Sequence, residues 1–220
     1  MALWNHDAAA DLLASAIKLI LFDQGLIGMP FDKLVPASAP RVVSNPSGSP
    51  RQAKVIKRLV EASADLFEAM ESALAALGQT ELDQVVVLVH LGSTLMTPKL
   101  LLEFRLDCSK SSPLAEPGRL SDTVHRSFLR SLAVSMVSLD RPKSSLSHLR
   151  VLVLVPRDVT LPPGFLPKQQ FSLGKARQQA KAVLVHDFPH ADGGPDPSLW
   201  MEGSARWVWV ECIHILQAIQ

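Results

Sequence analysis

Apolar and polar positions along the chain sort into helical and strand-like runs. Over residues 8–23, Leu12, Leu13, Ala16, Ile17, Ile20 and Leu21 recur at spacings of three and four, which predicts an amphipathic helix with one buried stripe. Asp7 stands where an N-cap is expected, and Gly25 where a left-handed residue would close the helix. A second helix is predicted over 51–77. Its stripe of Ile56, Leu59, Val60, Leu66, Phe67, Met70, Ala73, Leu74 and Leu77 is broadened by Ala62, Ala64, Ala69 and Ala76, and Gly78 ends it. So wide a stripe implies packing on two sides.

The stretch "QVVVLVHLGSTLMTPKLLLEFRLDCS" changes period. Val85 to Val89 are apolar on both faces, and the later run alternates around Glu103, Arg105 and Asp107. Strands are predicted at about 84–91 and 100–108, with Gly92-Ser93-Thr94 as a structural turn. A third helix follows, from Pro117 to about Leu139, then "LRVLVLVP" (149–156) as a central strand covered on both faces. Residues 157–174 read as a Pro/Gly-rich loop, 180–188 as a strand, 190–198 as a turn-rich connection, and 206–219 as strand-like at least through Ile215. Residues 35–50 carry four prolines with serine and glycine and are expected to form a mobile linker. Within it, Ser49-Pro50-Arg51 is a candidate proline-directed phosphosite. Helices and strands do not alternate regularly, so the expected class is α+β: three helices on one face of a mostly antiparallel sheet.

Composition narrows the function. A chain of 220 residues that is 47% hydrophobic builds a core without staples. Twenty-two basic and 21 acidic residues leave a net charge of +1, which gives no electrostatic case for nucleic acid or an anionic membrane. Cys108 and Cys212 stand in strand-like runs without a C-x-x-C, so reduced, packed thiols are expected, in the nucleus and cytoplasm. The first residues lack a basic run and do not read as a secretory signal, and "AIKLILF" is too short to span a bilayer.

Candidate chemistry is sparse. The chain has no phosphate-binding glycine loop, dinucleotide fingerprint, nucleophile elbow or H-E-x-x-H pair. His186 and His190 lie near Asp187 and Asp192, but a strand end and a Pro/Gly loop hold such a pair poorly, so no metal site and no cofactor are expected. Cys108 has no local pattern of a nucleophile. On a helical wheel, Phe128, Leu129, Leu132, Met136 and Leu139 of the third helix point one way, and Arg119, Thr123, Arg126, Arg130, Val134 and Val137 the other. Arginine mixed with valine on an outer face suits a protein-binding helix. A solvated face carrying two isolated valines fits the same spacing.

Taken in order, "GMPFDKL" (28–34), the long helix ending "EAMESALAAL", the hairpin sequence above, "GFLPKQQFSL" (164–173) and "RWVWVECIHILQAI" (206–219) resemble the comet family, adaptors of the spindle checkpoint with a HORMA fold. The resemblance runs collinearly over most of the chain. It implies one HORMA-like domain over 1–220, with three helices backing a sheet, a flexible loop at 35–50 and a C-terminal safety belt at about 157–220. It implies a non-enzymatic adaptor that binds the closed form of a Mad-two-like HORMA protein. The adaptor then presents that client to a hexameric AAA+ ATPase of the Pch-two type, silencing the checkpoint or acting on meiotic HORMA proteins. By position, Arg126, Arg130, Val134 and Val137 would belong to the client interface, with Asp23 or Gln24 contributing. Phe128 resembles a family interface phenylalanine, in conflict with its inward place on the wheel. Pro167-Lys168 matches the dipeptide of the ATPase-engaging loop, where proline would keep the loop extended and unpaired and lysine would reach an acidic rim. Residues 211–220 lack the proline and glycine of the family's last strand, and a long acidic N-terminal extension of animal relatives is absent. Two alternatives remain at this point: a HORMA scaffold subunit of autophagy or DNA repair, and a small hydrolase or transferase.

Overall fold

A computed structural model describes residues 4–38, 50–80, 82, 84–108, 114, 120–137, 139, 148–188 and 206–217. Its elements run α1 (His6–Asp23), α2 (Phe31–Ser38), α3 (Pro50–Leu77), β1 (Gln84–Thr94), β2 (Thr97–Asp107), α4 (Asp122–Val137), β3 (His148–Pro156), β4 (Phe165–Pro167), α5 (Leu173–Gln179), β5 (Ala182–Phe188), β6 (Trp207–Cys212) and β7 (Leu216–Gln217). The class is α+β: helices pack on a mixed, mostly antiparallel sheet of seven strands, in the order β4-β6-β3-β1-β2-β5, with β7 on β3. Among the described strands, the parallel pair is β2 with β5, made possible by the long excursion through β3, β4 and α5.

Alternation along the central strands builds two layers. Val85, Val87, Val89 and Leu91 of β1, Leu100, Leu102, Phe104 and Leu106 of β2, and Leu149, Val151, Val153 and Val155 of β3 join the buried stripe of α1, α3 and α4 in one large apolar core. The opposite pleat sends Val86, Leu88, Leu101, Leu152, Leu154 and Trp209 into a smaller core closed by Phe171 and by Leu173 and Ala176 of α5. A strand between two covered faces is apolar in both phases, which accounts for the unbroken oily run of β1. The β1–β2 ladder pairs in register from Gln84↔Asp107 to Leu91↔Leu100, then shifts at Gly92. A side chain there would meet Thr97 O at 2.9 Å and Pro98 Cα at 3.0 Å, so the bulge requires glycine.

Several sequence expectations change. The α1 N-cap is Asn5, whose Oδ1 accepts from the Ala8 N–H at 3.0 Å, and Asp7 lies within the first turn. Gly25 does take a left-handed φ of 68°. The expected linker begins as helix α2, because Phe31 and Leu34 anchor it in the core and Phe31 meets Phe67 of α3 edge-on; residues 39–49, with Ser49, lie outside the described residues. The third sequence helix starts at Asp122, where Ser121 Oγ accepts from the Val124 N–H at 3.3 Å; Pro117 and Arg119 lie outside the described residues. The expected loop at 157–174 contains β4 and the start of α5. The terminal strand breaks after Cys212 and resumes at Leu216. A fourth helix beside the three, and a fifth on the opposite face, replace the expected three on one face.

Candidate functional site

Helix α4 divides as the wheel predicts. Phe128, Leu132 and Met136 are buried, while Arg126, Arg130, Val134 and Val137 are exposed, Val134 at 68% and Val137 at 81%. Arg126 makes an i,i+4 contact to Asp122 at 3.9 Å, with both side chains mostly in solvent, which constrains it little. The four residues thus form one continuous outer stripe that nothing described in the chain covers. Between α1 and α4 lies a cleft of about 200 Å³, lined among others by Asp11, Ser15, Lys18 and His125.

Two residues expected at this face lie elsewhere. Phe128 is 7% exposed, and its ring packs against Phe188 at 5.6 Å, Phe104 at 6.0 Å and His186 at 6.1 Å. The inward reading therefore stands, because an aromatic ring among three others gains far more from burial than from solvent. Gln24 is 2% exposed and donates from Nε2 to Asp23 Oδ2 at 3.0 Å. Asp23 is half-buried and is the accessible member of that pair.

The Pro167-Lys168 dipeptide is not an unpaired loop. Pro167 pairs with Val210 at the end of β4, and the Lys168 backbone N–H donates to Trp209 O at 2.7 Å. Proline is tolerated because β4 is an edge strand. The Lys168 ammonium lies 2.7 Å from Glu211 Oε2, while Arg150 Nη1 meets Glu211 Oε1 at 2.8 Å. Burial pushes the Glu211 carboxyl up, but the hydrogen bonds and charges of Lys168 and Arg150 outweigh it and hold the group below its ordinary value.

Sequence reasoning missed that this cluster belongs to a row of charged groups on the α5 side of the sheet. Glu103, fully buried, accepts from Arg105 Nε at 2.8 Å and from the Arg177 guanidinium of α5. Arg105 also reaches Asp187 at 3.8 Å. His90 is fully buried beside Arg150, its neighbour in the ladder. Burial, reinforced by the Arg150 charge, lowers its pKa to about 4. The signal was present: Glu103, Arg105, Arg150 and Glu211 interrupt otherwise apolar alternation on one pleat.

Among the described residues, no group of three or more His, Cys, Asp or Glu is placed to hold a metal. His186 packs between Phe104 and Phe128 while Asp187 turns to Arg105; His190 and Asp192 lie outside the described residues. Cys108 and Cys212 are buried thiols, and Cys108 Sγ lies 3.4 Å from Leu106 O. No described helix is long and apolar enough to cross a membrane. The chain matches no protein-family model and no curated protein.

Proposed function

We propose that this chain is a non-enzymatic adaptor with a HORMA-like fold, of the comet type. Its α4 stripe binds a closed Mad-two-like HORMA client, and its β4–β6 end meets a hexameric Pch-two-type AAA+ ATPase. The observation that carries the reading is the α4 surface. Val134 and Val137 stand in solvent on the same stripe as two arginines, opposite a fully packed core face. A helix with one face in the core and an uncovered Arg/Val stripe on the other has the chemistry of a docking helix. Three long helices stacked against one side of the sheet, with a C-terminal segment that rejoins it through β6 and β7, fit the same reading.

The function follows from geometry rather than covalent chemistry. Holding the client on α4 and a motor at the opposite end of the sheet raises the client's effective concentration at the motor. The motor supplies the energy. Checkpoint silencing or meiotic HORMA turnover, in nucleus and cytoplasm, is the process this activity would serve. The test is capture of a closed Mad-two-like protein on immobilised adaptor. Arg130→Glu is expected to abolish capture with an unchanged melting temperature; undiminished capture would overturn the reading.

A further inference from the structure

Next to the Lys168–Glu211 pair, the β4–β6 end of the sheet carries a notch of about 90 Å³ lined by Arg157, Lys168, Gln169, Phe171, Trp207 and Trp209, with Leu154 and Val208 behind them. That volume holds several waters or one short side chain. Trp209 is 2% exposed, packs edge-on against Phe171 at 5.7 Å, and its indole N–H has no hydrogen-bond partner. A buried donor without an acceptor costs about 1–3 kcal/mol. At the mouth, Arg157 is exposed and its backbone N–H donates to Arg206 O at 2.8 Å, which holds two arginines side by side. The lining contains no carboxylate. The Lys168 ammonium is already engaged by Glu211.

We infer that this notch receives an acidic side chain from an extended partner segment. The Trp209 indole N–H and the Arg157 guanidinium are its donors, while Lys168, also in the lining, is held by its ion pair with Glu211. The inference deepens the proposal that this end of the sheet meets the ATPase: it assigns the contact to Arg157 and Trp209 instead of the lysine ammonium. Complementarity of charge selects an acidic segment over an apolar one, since the pocket offers two donors, one of them the Arg157 cation, around an aromatic floor.

The test titrates the full chain with blocked hexaglutamate and follows the four indole N–H resonances by NMR, assigned with Trp→Phe variants. The Trp209 resonance is expected to shift downfield and saturate. Arg157→Glu should weaken binding by about tenfold or more, the scale of one charge-assisted hydrogen bond, while Arg130→Glu leaves it unchanged. An unmoved Trp209 resonance, a titration indifferent to Arg157→Glu, or an equal shift with sodium sulfate at matched ionic strength would each overturn the inference. The adaptor proposal is read separately. If hexaglutamate binds but Arg157→Glu leaves ATPase-driven client opening intact, the notch stands and its assignment to the motor falls. If Trp209 is silent yet changes at Pro167 and Lys168 block opening, the notch falls and the adaptor stands.

Discussion

The two faces of the same sheet are built from the same strands and held by different forces. Toward α1, α3 and α4, β2 presents Leu100, Leu102, Phe104 and Leu106; toward α5 it presents Leu101, Glu103, Arg105 and Asp107. Strands β1, β3 and β6 repeat the division, with His90, Arg150 and Glu211 all on the α5 side. The helix side is closed by area. Among the described residues, the α5 side is covered by a seven-residue helix and a short connection, and two buried carboxylates fasten that cover: Glu103 through Arg177, and Glu211 through Lys168. Apolar burial is non-directional and tolerates sliding, whereas a buried carboxylate demands its cations at defined positions. Where the cover is too small to provide area, ion pairs fix its register.

The largest effect that tests this contrast belongs to the helix side. Phe104→Ala empties a fully buried site beneath Phe128 and His186, and is expected to cost about 3–5 kcal/mol in urea unfolding. A loss under about 1 kcal/mol would show that the site collapses and that this face is not closed by packing.

Acid addresses the α5 side selectively. The His90 pKa is held near 4 in the fold against 6.5 when unfolded, so the unfolded chain binds a proton first. Stability from this group is complete above pH 6.5, falls as pH drops from 6.5 toward 4, and is fully lost below; the loss is on the order of 3 kcal/mol. Glu211, whose pKa is lowered in the fold, has the same sign, but its loss sets in later, as pH falls through the ordinary carboxylate value of the unfolded chain. Measured between pH 7 and 4.5, His90→Leu is expected to flatten the stability profile. A slope equal to that of the wild type would remove His90 from the account.

Smaller effects resolve the fasteners. Glu211→Gln leaves Arg150 and Lys168 facing a neutral amide and is expected to cost about 2 kcal/mol, discounted because Lys168 is partly in water. Replacing Arg150 and Lys168 by Met in the same variant should restore most of that loss, since cations without a counter-charge, not a missing attraction, then dominate. Lys168→Ala alone should cost about 1 kcal/mol, because Arg150 still serves Glu211. Should the triple variant be less stable than Glu211→Gln, the ion pairs contribute more than register. Last, Val137→Ser on the open α4 stripe is expected to change stability by less than about 0.5 kcal/mol, and a larger loss would mean that something in the chain covers it.

Much of this was legible. The stripes of α1 and α3, the apolar runs of β1 and β3 and the split of α4 follow from periodicity because each element's burial is set by its own spacing. The exposed Arg/Val stripe of α4 was readable for that reason. What misled was local chemistry without its neighbours. Pro36 and its surroundings look like linker, yet Phe31 and Leu34 dock α2. The Pro167-Lys168 pair looks like free loop, yet the backbone of β6 captures it. Phe128 was placed on two faces at once, and the aromatic cluster around it decided the matter.

The sequence by itself determined the helices α1, α3 and α4, the strand character of β1, β2, β3, β5 and β6, and which positions of the central strands are apolar, since a 3.6 or 2.0 period is a property of neighbours along the chain. Only the tertiary structure decided that β5 joins β2 in parallel, that Glu103 and Glu211 each find one cation from an adjacent strand or their own and one from the connection, and that Trp209 is left with a donor to spare. These depend on which segments meet across many intervening residues, and no periodicity encodes the partner of a charge.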